Sequence, residues 1–285
     1  MAYVAPVDDH ADIFRTDVEC ESLLTICGTD VNLTQEHEAE SEPAWSPDGS
    51  GIAFVSARNG APEIYWMPAA GGTASNLTRD SATDSFPVWS SDGHYLAFYS
   101  DRSGSLEVYV MNMDCLRDMA TCPTAVRHVG GGFNSLPAWS PDGKQLAYFD
   151  NGDLLLIQTD CLAHSNDCNA QAYNLTRSAF TDWYPVWSPD SQRLLFQSNR
   201  GSLPQIYEAL IDCDSTLGDC AKPLKNELSY SLYPSFSPDG HQIMLLSSSH
   251  TIEELYLLAV DGHSVEQMTH MGGQISSARW RPTPP

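Results

Sequence analysis

The sequence predicts an all-β fold, a six-bladed β-propeller of four-stranded blades. One short phrase recurs five times at a nearly constant spacing, and each copy is followed by short apolar runs between turn-forming residues. The composition is that of a folded domain, because 42% of the residues are hydrophobic and only 18% are charged. Repeats of four strands in roughly 40–50 residues are typical of propeller blades.

The recurring phrase is an aromatic residue followed by a Ser-Pro-Asp-Gly turn. Its copies are EPAWSPDG (42–49), FPVWSSDG (86–93), LPAWSPDG (136–143), YPVWSPDS (184–191) and YPSFSPDG (233–240), with a degraded copy, SARWRP, at 277–282. The prolines before the aromatics, with Ser277 in the sixth place, are separated by 44, 50, 48, 49 and 43 residues. We interpret the aromatic as core between blades and the turn Asp as structural, since its short side chain can accept a backbone N–H of its own turn.

Apolar runs after each turn supply the second and third strands of each repeat. The second strands are predicted at 51–56, 95–100, 145–150, 193–198 and 242–247, and the third strands at 63–67, 107–111, 153–157, 205–209 and 254–258. The fourth strand is short and in three repeats ends in Asn-Leu-Thr, at 32–34, 76–78 and 174–176. These triplets are also glycosylation sequons, but their fixed strand position favours a structural role.

The two ends of the chain are predicted to share one blade. Residues 2–14 align without a gap on 53–65, so the chain begins at a second strand, and 277–282 supplies the missing first strand. Such a split blade closes the ring and removes free sheet edges. We therefore predict one domain, 1–285, with blades at 277–285 plus 1–34, 43–78, 87–130, 137–176, 185–228 and 234–270.

The aromatic-Ser-Pro-Asp-Gly turn after the innermost strand resembles the TolB-type, WD-like propeller repeat over nearly the whole chain. The resemblance implies the propeller fold but no single function. TolB-type repeats occur in periplasmic adaptor proteins, in propellers attached to serine peptidases and in extracellular domains of bacterial signalling proteins.

The eight cysteines form four C-x6-C pairs, each between the third and fourth strands of its repeat. Zinc is the competing interpretation, but structural zinc sites use shorter spacings that converge on one ion. We predict the disulfides Cys20–Cys27, Cys115–Cys122, Cys161–Cys168 and Cys213–Cys220, each worth roughly 2–2.5 kcal/mol. Because disulfides persist in oxidising compartments, the sequence predicts an extracytoplasmic protein. Residues 1–14 lack the features of a signal peptide, so we expect the leader or anchor to lie outside these 285 residues.

The net charge of −23, from 37 acidic and 14 basic residues, makes nucleic acid an unfavourable partner and attracts cations or basic protein surfaces. No apolar stretch is long enough to span a membrane, and we expect a monomer. The sequence contains no Gly-x-Ser-x-Gly elbow, P-loop or His-Glu-x-x-His motif. We therefore predict a non-enzymatic protein- or ligand-binding module, the sensor or adaptor part of a larger exported or membrane-anchored protein. The alternative is a hydrolase-type enzyme with a polar or metal site at the mouth of the central channel.

Candidate site residues lie three positions before each repeat marker, in the loops predicted to enter the innermost strands. They are Glu40, Asp84, Asn134, Asp182, Ser231 and Gln274. Trp183, with Phe86, Phe133 and Tyr184, adds a rim of aromatic rings. Oxygen-bearing side chains in this arrangement suit Ca²⁺, with Asp84 and Asp182 as candidate ligands, or a basic side chain of a partner.

Overall fold

Six antiparallel β-sheets make up the described part of the chain, of which one has three strands and five have four. The structure, a computed structural model, describes residues 2–7, 10–15, 30–35, 38–124, 126–132, 136–164, 168, 171–214, 216, 220–224, 228, 230–248, 253–261 and 264–269. The predicted all-β class is confirmed, and six sheets of this size fit a six-bladed propeller. The sheets fall into two compact units, Met1–Gly130 and Gly131–Pro285.

The first unit contains three sheets in chain order. They are formed by β1 (Ala2–Val7), β2 (His10–Arg15) and β3 (Val31–Asn32), then β4 (Glu40–Trp45), β5 (Gly51–Ser56), β6 (Glu63–Pro68) and β7 (Ser75–Asn76), then β8 (Asp84–Trp89), β9 (Tyr95–Ser100), β10 (Glu107–Asn112) and β11 (Val126–Gly130). Two 3-10 helices, Met113–Arg117 and Met119–Thr124, lie between β10 and β11.

The second unit also contains three sheets. They are formed by β12 (Ala138–Trp139), β13 (Gln145–Asp150), β14 (Asp153–Gln158) and β15 (Tyr173–Asn174), then β16 (Asp182–Trp187), β17 (Arg193–Ser198), β18 (Gln205–Leu210) and β19 (Lys222–Pro223), then β20 (Leu232–Phe236), β21 (Gln242–Ser248), β22 (Glu253–Ala259) and β23 (Val265–Gln267). One short helix, α1 (Thr159–His164), follows β14.

The second and third strands agree with the sequence-based boundaries to within a residue or so at each end. The first sheet has the order β1-β2-β3, so the described residues leave one edge of β1 without a neighbour. In each other sheet that edge pairs with the strand that carries the repeat aromatic. The segment 277–282, predicted to fill this position, lies outside the described residues, and closure stays a prediction.

The Ser-Pro-Asp-Gly turns are held by their own side chains, as predicted. In the first copy the Ser46 hydroxyl donates to the Asp48 carboxylate at 2.6 Å and accepts the Gly51 N–H at 3.0 Å. The hydrogen bond from Ser46, helped by the Ser50 N–H, lowers the pKa of Asp48 to about 2. The same serine-to-aspartate bond recurs in the other four complete copies, at Asp92, Asp142, Asp190 and Asp239.

The repeat aromatics pack between neighbouring sheets of the same unit, which confirms their predicted core role. The Trp89 indole N–H donates to the carbonyl of Ala44 at 3.0 Å, and that of Trp187 donates to the carbonyl of Ala138 at 2.8 Å. Each acceptor is the residue before the aromatic of the preceding sheet. The indole nitrogen of Trp45 is also buried, but it has no acceptor among the described residues.

The Asn-Leu-Thr triplets belong to the sheets. Their leucines, Leu33, Leu77 and Leu175, are all buried. Their threonine hydroxyls accept third-strand amides, as from Ile64 to Thr78 at 3.2 Å and from Leu154 to Thr176 at 3.0 Å. The structural interpretation of these triplets therefore agrees with the contacts.

Three of the four predicted disulfides are confirmed, with Cα–Cα distances of 4.8 Å for Cys115–Cys122, 5.7 Å for Cys161–Cys168 and 5.9 Å for Cys213–Cys220. Cys20 and Cys27 lie outside the described residues. The insertions bridged by Cys115–Cys122 and Cys161–Cys168 contain short helical turns. The Asn112 side chain caps the first of these turns by accepting the Asp114 N–H at 2.8 Å, a local contact that the cysteine spacing does not indicate.

Candidate functional site

Three predicted site residues, Glu40, Asp84 and Asp182, are the first residues of β4, β8 and β16. Their side chains are 0% exposed, and their predicted placement in the loops that enter the innermost strands is wrong. The cause is the sheet register, because each acid pairs across the strands with a serine that ends the second strand: Ser56, Ser100 and Ser198. Because of this pairing, the first strand begins at the acid, two residues before the repeat phrase.

Each buried acid faces an arginine from the turn between the second and third strands. The nitrogen–oxygen distances are 2.5 Å for Arg58–Glu40, 3.1 Å for Arg102–Asp84 and 2.5 Å for Arg200–Asp182. Each guanidinium also lies over the ring of a third-strand tyrosine: Tyr65 at 4.7 Å, Tyr109 at 4.8 Å and Tyr207 at 5.5 Å. We call these three contacts the acid–arginine pairs.

The sequence analysis did not identify these arginines as partners of the acids. In all three pairs the arginine follows its acid by 18 residues. That constant spacing, together with the serine two residues before each arginine, is a pattern from which the pairs could have been found. It was missed because the acids were assigned to loops, where no fixed partner is expected.

Burial governs the electrostatics of the two aspartates. Desolvation raises the pKa of Asp84 and of Asp182, while hydrogen bonds from Ser100 and Ser198 and the charges of Arg102 and Arg200 lower it. The arginine therefore supplies the counter-charge that lowers the free-energy cost of burying each carboxylate.

A calcium ion at Asp84 or Asp182 would have to compete with the guanidinium for the same carboxylate oxygens. Within the described residues no group of three or more His, Cys, Asp or Glu side chains lies close enough to hold a metal ion. Calcium binding by Asp84 and Asp182 stays a prediction.

Of the remaining predicted site residues, Ser231 is fully buried and its backbone N–H donates to the carbonyl of Pro204 at 3.2 Å. Trp183 follows Asp182 on β16 and is half-buried, opposite Gln197 in the strand register. Asn134 and Gln274 lie outside the described residues. Glu40, Asp84 and Asp182 thus occupy equivalent strand positions, and Ser231 directly precedes β20.

The sequence analysis missed a strained backbone position two residues beyond each of Glu40, Asp84, Asp182 and Ser231. Glu42, Phe86, Tyr184 and Tyr233 have φ angles of 55°, 55°, 55° and 50°. All four precede the repeat proline, and the register of each first strand shifts at this point, as in a β-bulge. Positive φ is uncommon for residues other than glycine, and rarer for bulky ones. We call these four residues the bulge residues.

Neighbouring sheets hold the bulge backbone in place. The Glu42 carboxylate accepts the Phe86 N–H at 2.5 Å, and the Gln197 amide oxygen accepts the Tyr233 N–H at 3.2 Å. Burial raises the pKa of Glu42, and the Phe86 N–H partly offsets that rise. In the second unit the rings of Tyr184 and Tyr233 meet edge to face with centroids 5.5 Å apart. The bulge therefore presents side chains from adjacent sheets in a fixed arrangement.

No helix of the described residues is long and apolar enough to cross a lipid bilayer.

Solved structures share this fold. A putative TolB from Agrobacterium tumefaciens matches with 21% identity and a TM-score of 0.56, over 84% of this chain and 83% of its own. A puromycin-hydrolysing peptidase of Mycobacterium tuberculosis matches with 13% identity and a TM-score of 0.66, over 92% of this chain but only 42% of its own. The propeller domain of the Trilobed protease from Pyrococcus furiosus, described as having an open velcro topology, matches with 15% identity and a TM-score of 0.54, over 82% of this chain and 72% of its own.

At such identities the likeness to solved structures shows the fold alone. The family is shown by the sequence, because the model of the TolB β-propeller domain matches residues 2–156, more than half of the chain. The chain belongs to the TolB β-propeller family.

Proposed function

We propose that the chain is a non-enzymatic, extracytoplasmic binding module, the sensor or adaptor part of a larger exported or membrane-anchored protein. The three disulfides support the oxidising compartment. The likeness to the peptidase covers less than half of the peptidase chain, so it supports a propeller that serves a larger protein rather than catalysis by the propeller itself. The proposed binding positions are the bulge residues of each unit, which are Glu42 and Phe86 in the first and Tyr184 and Tyr233 in the second.

The recurrence of positive φ at the bulge residues is the observation that carries this proposal. A non-glycine residue in this region costs about 1–3 kcal/mol, and glycine would remove that cost. Four repeats nevertheless keep a carboxylate or an aromatic ring there. Strained backbone persists where its side chain has a task, and half-exposed aromatic rings are common at recognition surfaces.

Replacing Tyr233 with glycine separates a binding role from a packing role. Tyr233 is 51% exposed, so we expect Tyr233→Gly to keep or raise the melting temperature, because relief of backbone strain offsets the small loss of packing. Ser235→Gly, on the same strand but without positive φ, is the control and should lose about 0.5–1 kcal/mol. A loss well above that of the control, measured by thermal or urea denaturation, would show that Tyr233 is kept for packing and would contradict the proposal.

We further propose that residues 277–282 complete the first sheet and so close the propeller. Two features of the first unit support this. One edge of β1 has no neighbour among the described residues, and the buried indole N–H of Trp45 lacks the acceptor that Trp89 finds in the preceding sheet. For Trp89 the acceptor is the carbonyl of the residue before the aromatic of the preceding sheet. The equivalent residue for Trp45 is Arg279, which precedes Trp280.

A further inference from the structure

We propose that the second unit docks an extended segment of another protein, one with an apolar core and basic flanks, through a surface formed by Phe180, Leu203 and Tyr233. This inference rests on the proposed binding function and names the class of partner. We call the three residues the apolar surface. They are 46%, 47% and 51% exposed, among the most exposed large hydrophobic side chains of the described residues.

One turn, residues 199–204, brings the three side chains to the same part of the unit. On one side of it, the Thr181 N–H donates to the Asn199 side-chain oxygen at 2.8 Å, and the Arg200 guanidinium lies 5.9 Å from the Phe180 ring centre. Leu203 lies within the turn itself. The segment that carries Phe180 is therefore fixed against the turn that carries Leu203.

The segment that carries Tyr233 is fixed on the other side of the same turn. The Ser231 N–H donates to the carbonyl of Pro204 at 3.2 Å, next to Leu203. The Tyr233 N–H donates to Gln197, two residues before the turn begins. Hydrogen bonds thus hold the segments that carry Phe180 and Tyr233 against the turn that carries Leu203.

The chemistry of this surface is apolar rather than acidic. The nearest predicted ligand, Asp182, is 0% exposed and paired with Arg200. At the positions that match Phe180 and Leu203, the first unit carries small or polar residues: Glu38 and Ala82 in place of Phe180, and Ala61 and Ser105 in place of Leu203. The combination of Phe180 and Leu203 is therefore specific to the second unit and is not a requirement of the repeat.

The net charge of the chain indicates whether the apolar surface binds a second copy of the chain or another protein. Two copies of this chain would each bring a net charge of −23, and like charges of this size oppose association. The negative electrostatic field of this chain instead favours the binding of a segment that carries lysine or arginine beside its apolar core. Another protein with basic flanks is the occupant that fits both the surface and the charge.

A random 12-residue peptide library displayed on phage, selected on the full chain, provides the test. We expect enriched peptides to combine aromatic or aliphatic residues with Lys or Arg, and their synthetic forms to bind more weakly as salt increases. Phe180→Ser and Leu203→Ser should each weaken binding by about tenfold or more. Leu210→Ser is the matched control, because Leu210 has the same 47% exposure but ends β18, whereas Leu203 lies just before that strand. The control should leave binding unchanged.

Three results would overturn the inference. The first is that the library yields no binder, and the second is that the enriched peptides bind Leu203→Ser and Phe180→Ser as well as they bind wild type. The third such result is that analytical ultracentrifugation finds a dimer that Leu203→Ser dissociates. If the peptides instead lose binding on Tyr184→Gly or Glu42→Gly and not on Leu203→Ser, this inference fails while the proposed binding function stands. Melting curves of every variant, with Phe180→Leu as the conservative change, show whether a loss of binding follows from a loss of folding.

Discussion

Deletion of residues 276–285 is expected to lower the melting temperature by about 10 °C or more, which corresponds to roughly 4 kcal/mol for a domain of a few hundred residues. The proposed reason is that the deletion removes the first strand of the first sheet and exposes the edge of β1. Differential scanning calorimetry of the two chains measures the effect. An unchanged melting temperature would contradict closure by this segment.

Paired tryptophan variants show whether the loss comes from the proposed strand. Trp89→Phe removes a hydrogen bond to Ala44 and should cost about 1 kcal/mol. If Arg279 accepts from Trp45, then Trp45→Phe costs a similar amount in the full chain and almost nothing after the deletion. Equal costs in both backgrounds would mean that Trp45 has another partner.

Arg200→Met is expected to cost about 3–5 kcal/mol at pH 7, because it leaves the fully buried Asp182 carboxylate without its counter-charge. Arg193→Met is the control: Arg193 lies on the same sheet with its guanidinium 5.7 Å from the Phe236 ring centre, and we expect its loss to cost far less. Urea denaturation of both variants measures the difference. A small cost for Arg200→Met would show that the pair contributes little to the fold.

The cost of Arg200→Met should depend on pH. Burial already raises the pKa of Asp182, and without the arginine that pKa rises further above the value of about 3.9 in the unfolded chain. A carboxyl with a raised folded-state pKa stabilises the fold below its unfolded pKa, and this contribution is lost as pH rises through the folded-state pKa. The deficit of the variant relative to wild type should therefore be smaller at pH 4 than at pH 7, and an equal deficit at both would contradict the assignment.

The sequence predicted the sheets well, because the repeat phrase combines a turn with a fixed packing role. Ser46 and Asp48 bond within the turn, and Trp89 packs and bonds across to the neighbouring sheet, so local chemistry and periodicity lead to the same structure. The cysteine pairs were predictable for the same reason, since their spacing is local. The acid–arginine pairs, whose members lie 18 residues apart in the sequence, were not predicted.

The candidate site was predicted only in part. The positions of Glu40, Asp84 and Asp182 were found by counting from the repeat marker, but their burial depends on the register of the second strand and on an arginine from a separate turn. Likewise, a residue before proline is ordinarily extended, so the positive φ of Phe86 and Tyr184 follows from tertiary constraints that outweigh the local preference. These are properties of strand pairing, which local residue types do not specify.

Hydrogen exchange at β1 tests most directly the central claim that the chain closes into a six-bladed propeller. Among the described residues, no strand pairs with the edge of β1 that points away from β2, so the amides there depend on another strand for protection. If 277–282 forms that strand, a peptide covering 2–7 should exchange slowly in the full chain and rapidly after deletion of 276–285. Rapid exchange in the full chain, at the rate of the deleted chain, would contradict closure and would favour an open arrangement.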